Sequence, residues 1–280
     1  MDFLYPLTRW QRKRRKRKER LARDTAFQQL LDRDGLTPVE VLADVLPGLE
    51  PMATGFDLVR IGGARDGGYL LPDDLDGLAA SFSPGVNVMV DFDLDMAARG
   101  VPVFMADASV DGPPVQNPLF DFEKLFLGPE TRPGFITLDD WVAGKAPAQG
   151  DLLLQIDIEG AEWDVLDTVS DAVLNRFRII ALEVHDFHEV FRDGAAAQKL
   201  RVLKRLGRDF VVAHVHINNC DAPMSLGRLS VPPTFEITYL RRDRVTDLRP
   251  AAPLPHPLDT PNDRRNVDFV MPPVWRDFRM

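Results

Sequence analysis

Three segments of the chain share one pattern, an apolar run that ends in polar residues two positions apart. The segments are residues 151–159, 179–185 and 210–218, and their polar pairs are Asp157 and Glu159, Glu183 and His185, and His214 and His216. Side chains alternate between the two faces of a β-strand, so residues i and i+2 project on the same side. Each segment therefore predicts a buried strand with a polar pair at its carboxyl end, the edge at which open α/β sheets bind ligands.

Strand and helix patterns alternate from residue 78 onward. Strands are predicted at residues 78–85, 101–106, 120–127, 151–158, 179–184, 210–217 and 235–240, and helices at 91–99, from Thr137, at 161–169 and at 195–206. No helical pattern separates the last two strands, so the last strand is expected to pair antiparallel. The pattern predicts the α/β class, with a doubly wound, mostly parallel, seven-stranded sheet and an antiparallel last strand.

The chain divides into four regions by composition. They are a basic arm at residues 1–20, N-terminal helices at 21–56, an α/β domain at 57–249 and a proline-rich extension at 250–280. The extension is expected to run extended over the surface. At the start of the α/β domain, apolar runs at 57–62 and 69–72 flank a glycine-rich turn and predict a hairpin.

Two short motifs mark a helix in the second region. Thr37-Pro38-Val39-Glu40 has the spacing of a capping box, with proline at the first helical position. Pro47-Gly48 is expected to end this helix.

Charge is distributed unevenly. Residues 12–20 carry a net charge of +7, so a chain of net charge −9 leaves −16 for the remainder. An acidic body repels polyanions, which argues against a nucleic-acid groove in the globular part. Three interpretations of the arm stay open: a solvated tail, a peripheral attachment to anionic lipid, and a site for nucleic acid or a protein partner.

Composition also indicates the compartment. No apolar run reaches the ~20 residues that cross a bilayer, and the first dozen residues lack the apolar core of a signal peptide. The single cysteine, Cys220, excludes an internal disulfide and suits a reducing compartment. A cytoplasmic protein is expected, with the arm offering peripheral contact with the inner membrane surface.

Five short motifs follow one another between residues 57 and 240. They are R-D-G-G-Y-L-L-P (65–72), S-F-S-P-G-V-N-V (81–88), V-F-M-A-D (103–107), F-I-T-L-D-D-W (135–141) and Q-I-D-I-E-G-A-E-W (155–163). Their order resembles that of FkbM-like S-adenosylmethionine-dependent methyltransferases. The resemblance implies a Rossmann-like class I methyltransferase fold, S-adenosylmethionine as cofactor and a small-molecule or glycan substrate.

Candidate residues of the cofactor site come from the turn after the first predicted strand, called here the first turn (residues 81–87), and from the resemblance. An acid about 20 residues after the first turn can accept hydrogen bonds from ribose hydroxyls, and Asp107 has this position. The resemblance implies that Gly85 and its neighbours Ser83 and Asn87 line the cofactor and that Asp157 faces the transferred methyl group. The loop with Asp66 and Gly68 is expected either to close over the site or to form a plain tight turn.

Which group accepts the proton of a hydroxyl nucleophile is not decided by the sequence, and three interpretations of the Asp/Glu/His cluster stay open. His185 or His216 acts as general base, oriented by Glu183. Alternatively, a divalent metal (Mg²⁺, Mn²⁺ or Zn²⁺) is held by Asp157, Glu183, His185, His216 and Glu236. In the third, the cluster is a structural hydrogen-bond network.

Three functions compete on this evidence. The first is O-methylation of a sugar or small-metabolite hydroxyl group. The second is a metal-dependent hydrolase or transferase that uses the Asp/Glu/His cluster. The third is a non-catalytic binding module on a methyltransferase scaffold, favoured by the single glycine of the first turn.

Overall fold

The computed structural model describes residues 25, 27–29, 31–64, 67–86, 88–226, 229–252 and 254–270. The basic arm and two predicted cofactor residues, Asp66 and Asn87, lie outside the described residues, so the expectations for them stay predictions. No helix in the described ranges is long and apolar enough to cross a membrane.

Fifteen strands and six α-helices are labelled here in chain order within the described residues. The strands are β1 (Met52–Ala53), β2 (Leu58–Ile61), β3 (Tyr69–Pro72), β4 (Ala80–Pro84), β5 (Val103–Ala106), β6 (Phe120–Glu123), β7 (Phe126–Leu127), β8 (Phe135–Ile136), β9 (Leu152–Ile156), β10 (Phe177–Val184), β11 (Phe210–Ile217), β12 (Met224–Leu226), β13 (Leu229–Val231), β14 (Phe235–Arg241) and β15 (Arg249–Pro250). The helices are α1 (Val39–Ala43), α2 (Asp91–Ala98), α3 (Leu138–Lys145), α4 (Glu162–Thr168), α5 (Asp171–Leu174) and α6 (Asp193–Asp209). Short 3₁₀ helices occupy Leu46–Leu49, Phe187–Phe191 and Arg242–Arg244.

Seven strands form the central sheet in the order β11-β14-β10-β9-β4-β5-β6. Strands β10, β9, β4, β5 and β6 are parallel, and β14 pairs antiparallel with both β10 and β11. The predicted doubly wound sheet with an antiparallel last strand is thus confirmed. After β4 the chain builds β5 and β6 on one side of β4, and it then crosses back to place β9 on the opposite side of β4. The strand order therefore reverses between β4 and β9.

Apolar side chains cover both faces of the sheet. On one face Phe82, Trp141 and Phe177 belong to the larger core cluster. On the other face Tyr69 of β3 and Met96 of α2 pack in a second cluster. Burial on both faces explains why the parallel strands read as continuous apolar runs rather than as alternating ones.

The proline-rich extension packs against the edge of this sheet. β15 pairs with β1, and the segment beyond it meets β11 through the side chains of Asp259 and Asp268. Its described part is therefore tied to the sheet by polar contacts, and it includes turns at residues 256–259 and 263–266 rather than a continuous extended run.

Four local predictions need correction. The strand expected at 120–127 is divided, because β7 leaves the sheet and pairs with β8. The capping box is wrong: Pro38 precedes α1 and makes no side-chain capping bond, while the Thr37 hydroxyl is buried without a partner among the described residues. Pro47-Gly48 does not end α1, which stops at Ala43, but lies inside a 3₁₀ turn. α5 follows α4 where no helix was predicted.

The hairpin of β2 and β3 and the capping of α3 are confirmed. β2 and β3 pair antiparallel from Leu58 with Pro72 to Ile61 with Tyr69. The Thr137 hydroxyl accepts the backbone N–H of Asp140 at 3.1 Å, which satisfies one of the free donors at the start of α3.

Candidate active site

Gly85 closes the first strand-to-helix turn in a conformation that only glycine adopts readily. Its φ is +87°, and its N–H donates to the carbonyl oxygen of Ala106 at 3.0 Å. A Cβ at this position would lie 1.9 Å from the carbonyl oxygen of Asp157. The ends of β4 and β9 therefore approach each other at the reversal of strand order, and no side chain fits between them.

A cavity of about 540 Å³ opens at this edge of the sheet. Its lining comes from the turns after β4, β5 and β9 and from the β7–β8 pair: Gly85, Val86, Val88, Ala106, Asp107, Ser109, Val110, Phe126, Leu127, Phe135, Asp157, Ile158, Glu159 and Ala161. Its size is that of small-molecule and cofactor sites. The lining is mostly apolar, with three carboxylates at defined points.

Asp107 lies at the end of β5 and is nearly buried. Its Oδ2 accepts the N–H of Val86 at 2.9 Å, and its Oδ1 accepts the N–H and the hydroxyl of Ser109 at 2.7 and 2.6 Å. A carboxylate offers about four acceptor positions, so Oδ2 can accept a further donor from a ligand. Asp107 thereby ties two turns of the cavity together and still presents an acceptor to it.

Ser83 and Gly68, both predicted to bind the cofactor, face other neighbours. The buried Ser83 hydroxyl donates to Gln155 Oε1 at 2.7 Å, and the Gln155 amide donates to the Tyr69 hydroxyl at 3.3 Å. Gly68 packs so closely on the carbonyl oxygen of Gly63 that a Cβ would lie 2.2 Å from it. Neither lines the large cavity, and their cofactor roles stay predictions.

Asp157, Glu183 and His185 converge at the carboxyl ends of β9 and β10. One ligand atom from each lies within 4.8 Å of the other two. The imidazole Nε2 of His185 lies 3.8 Å from Asp157 Oδ1 and 3.6 Å from Glu159 Oε2. These three residues, predicted at the ends of two strands, therefore meet at one point, beside the cavity that Asp157 also lines.

Glu162, which was not predicted as a site residue, orients His185. Its side chain is 0% exposed, and its Oε1 accepts both the backbone N–H of His185 at 2.8 Å and the imidazole Nδ1–H at 2.9 Å. Its Oε2 accepts the N–H of Gly160 at 2.9 Å. An ionised carboxylate only accepts hydrogen bonds, so Nδ1 carries the proton and Nε2 faces the other two acids. The expectation that Glu183 orients His185 is corrected, since Glu183 instead accepts from Asn218 at 2.8 Å.

The environment of His185 acts on its charge in two directions. Burial lowers the pKa of the imidazole, but the hydrogen bond to Glu162 and the nearby carboxylates outweigh burial. The pKa of His185 is therefore raised above 6.5.

His216 and Glu236 lie in a second set of polar residues. Cross-strand pairing places Glu183 opposite Glu236 and Glu236 opposite His216, so the three share one face. His216 Nδ1 lies 3.5 Å from Glu236, and its Nε2 lies 3.2 Å from Asp268 of the extension. Burial lowers the pKa of His216, but the Glu236 hydrogen bond and the surrounding acids raise it to about 9. The five predicted metal ligands therefore divide between two neighbouring sets.

The carboxylates of both sets raise the pKa of the Tyr69 hydroxyl. Burial raises the pKa of its hydroxyl well above 10, and the charges of Glu183, Asp157 and Glu236 raise it further. The phenol therefore keeps its proton beneath three carboxylates.

Asp93 on α2 is a buried acid that the sequence pattern did not single out. It is 5% exposed, and its Oδ1 has no hydrogen-bond partner among the described residues. Burial raises the pKa of Asp93 from its ordinary 3.8 to about 6, although Ser83 opposes the shift.

The sequence pattern also did not identify the β7–β8 wall of the cavity, which includes Phe126 and Phe135. An aromatic residue in a short strand is more typical of the core than of a ligand site.

Replacing Gly85 with alanine tests the close approach of β4 and β9. The new methyl group collides with backbone rather than with a movable side chain, and φ is positive, so Gly85→Ala should lower the free energy of unfolding by more than ~3 kcal/mol. Gly144→Ala is the matched control, because this exposed glycine lies within α3 with open space around it. It should raise stability by ~0.5–1 kcal/mol. Equal effects of the two variants in urea unfolding would contradict this account.

Replacing Asp93 with asparagine tests the unpaired carboxylate. A pKa raised above its unfolded value means that the stability contribution is full below pH 3.8 and is lost as pH rises through about 6. Asparagine cannot ionise, so at pH 8 the ligand-free Asp93→Asn protein should exceed the wild type in stability by ~1–3 kcal/mol, and the gap should shrink toward pH 4. Exposed Asp91→Asn, on the same helix turn, should show no such gain. An Asp93→Asn protein that is less stable at pH 8 would refute the argument.

Comparison with known proteins agrees with this geometry. Residues 125–210 match the family model described as the methyltransferase FkbM domain. The matched segment runs from the β7–β8 wall through β9, the Asp157–Glu162 turn and β10 to α6. No curated protein matches the chain. The match supports a methyltransferase on a Rossmann-like sheet, and it confirms that the chain resembles the FkbM methyltransferase family, by way of the domain matched at residues 125–210.

Proposed function

We propose that the protein uses S-adenosylmethionine to methylate a hydroxyl group, on a sugar or another small polar metabolite. The observation that carries this proposal is the cavity at the reversal of strand order, with Gly85 at its base and Asp107 on its wall. Ligands of open α/β sheets bind at this topological point.

The residues of the cavity fit an adenosyl ligand. Val86, Val88, Phe126 and Phe135 provide apolar and aromatic surface, as a purine ring requires. The spare acceptor position on Asp107 suits a ribose hydroxyl. The absence of a Cβ at Gly85 leaves backbone accessible at the centre of the cavity wall, so a ligand can approach it closely.

The acids beside the cavity suit a cationic ligand. When bound, S-adenosylmethionine supplies an electrophilic methyl group on a positively charged sulfur atom. Asp157 and Glu159 line the cavity, and the half-buried carboxylate of Asp157 stabilises a cation there more than the solvent-exposed Glu159 does.

His185 is the best placed general base among the described residues. A hydroxyl nucleophile loses its proton during attack, and a base must lie within reach of that proton. Glu162 holds Nδ1, so Nε2 is the ring nitrogen directed toward Asp157 and the cavity. His216 is the poorer candidate, because Glu236 and Asp268 hold its imidazole and its pKa of about 9 keeps the ring protonated near neutral pH.

Two carboxylates of the cavity lining are available to an acceptor. Asp157 and Glu159 line the cavity, and carboxylates accept hydrogen bonds from several hydroxyl groups at once. Glu183 and Glu236, on the neighbouring strands, are buried and accept from Asn218 and Asn262 instead. The two lining carboxylates favour a polyhydroxylated acceptor over an apolar one.

A second candidate function is metal-dependent hydrolysis or group transfer. It is favoured by the convergence of Asp157, Glu183 and His185 within 4.8 Å. Two carboxylate oxygens and one imidazole nitrogen suit Mn²⁺ or Zn²⁺, and Mg²⁺ less well because it prefers oxygen. Glu162 would then act as the outer partner that fixes the ligand tautomer of His185.

Isothermal titration calorimetry with S-adenosylmethionine tests the leading proposal. Wild-type protein should bind it at sub-millimolar concentration, and Asp107→Ala should weaken binding by at least ~10-fold because a charged acceptor for ribose is lost. Asp121→Ala is the matched control, since this acid on β6 lies outside the cavity lining and pairs with Lys145. Absence of binding heat with the wild type would discard the proposal.

Titration with MnCl₂, ZnCl₂ and MgCl₂ tests the second candidate. A bound ion should give a saturable isotherm that Asp157→Ala abolishes, because one of three ligands disappears, while Asp121→Ala leaves it unchanged. Activity that depends on metal and is indifferent to S-adenosylmethionine would favour this candidate. An isotherm that survives Asp157→Ala would remove it.

A further inference from the structure

A small chamber of about 40 Å³ adjoins the large cavity. Gly85 and Asp157 line both spaces, so the two meet at the close approach of β4 and β9. The chamber continues from there toward Asp93 of α2 and Gln155 of β9. Its volume admits a group about the size of a water molecule or an ammonium ion, and nothing as large as a ring.

Asp93 gives the chamber a buried carboxylate with one oxygen that lacks a partner among the described residues. The carboxyl group is nine-tenths buried, and its Oδ1 has no hydrogen-bond partner among the described residues. Burying such a group without a partner costs free energy, so buried charges in proteins are normally paired. The raised pKa of Asp93 reflects the same deficit.

The neighbouring polar side chains correct this deficit only in part. Ser83 opposes the rise in the pKa of Asp93 through a hydrogen bond, but its hydroxyl also donates to Gln155 at 2.7 Å, and Asp93 Oδ1 has no partner among the described residues. The described residues that line the chamber include no lysine or arginine. The unpartnered oxygen therefore leaves room for a small cationic group, which the large cavity can admit because Gly85 and Asp157 line both spaces.

A ligand that fills both spaces must combine two kinds of group. The large cavity takes an apolar, aromatic moiety with hydroxyl groups near Asp107, whereas the chamber takes a compact cation. An amino-acid ammonium group joined by a short chain to a nucleoside has this combination.

We propose that Asp93 binds the α-ammonium group of S-adenosylmethionine and so selects ligands that retain the amino-acid end. This inference rests on the proposed function and deepens it.

Calorimetry with three ligands tests this assignment. S-adenosylmethionine and S-adenosylhomocysteine both carry the ammonium group, and only the first carries a sulfonium. 5′-Methylthioadenosine has the nucleoside and sulfur without the amino-acid end. Asp93→Asn should weaken binding of the first two ligands by ~10–100-fold, the loss expected for one charge-assisted hydrogen bond, and leave 5′-methylthioadenosine within ~2-fold.

Two variants serve as controls. Asp91→Asn removes the same charge from an exposed position on α2 and should leave all three affinities unchanged. If Asp93→Asn does not fold, Asp93→Ser carries the same expectation, and its affinity for 5′-methylthioadenosine reports whether the cavity is intact.

The outcomes separate the two proposals. Equal weakening of all three ligands, or none, in Asp93→Asn would overturn the role of Asp93 while the methyltransferase proposal stands. A wild-type protein that binds none of the three would overturn both. A loss for S-adenosylmethionine alone would assign Asp93 to the sulfonium and overturn the ammonium assignment.

Discussion

The contact between the backbone of Gly85 and the carbonyl oxygen of Asp157 determines the shape of the site. β4 and β9 are neighbours in the sheet, yet the chain leaves them toward opposite sides. The two turns can separate into a cavity only because they touch at one point without a side chain between them. Asp107 holds the third turn through the N–H of Val86. The turns after β4, β5 and β9 are thus placed by one backbone contact and one buried carboxylate, without flexible side chains between them.

Two buried carboxylates near this point illustrate opposite solutions to the cost of burial. Glu162 accepts three N–H groups, which compensate its charge and fix His185 at the end of the next strand. Asp93 is buried to a similar degree, but one of its oxygens has no partner among the described residues. The first arrangement stabilises the fold, since a satisfied carboxylate joins two turns. The second retains a cost that a cationic ligand can offset, as is usual at binding sites.

The C-terminal segment turns an open sheet edge into an enclosed polar surface. Asp259 meets His214 at 2.8 Å, Asp268 meets His216, and the Asn262 amide donates to Glu236 at 2.8 Å. These contacts engage the histidines of β11 and leave His185 as the imidazole nearest the cavity. Local sequence patterns group His185 with His216, because they carry no information on Asp268, some 50 positions later, which contacts only His216.

Local sequence patterns were enough to predict the sheet and the acids at its strand ends, because apolar runs and their polar ends repeat with a fixed period. The same patterns singled out Gly85, Asp107, Asp157, Glu183 and His185, which the fold then brings to one edge. Three other features depend on how distant turns pack: Glu162 rather than Glu183 orients His185, His216 contacts Asp268, and Asp93 Oδ1 has no partner among the described residues. These outcomes depend on distances between turns that are far apart in the chain. No periodicity encodes such distances, because they arise only when strands pair and helices pack over them.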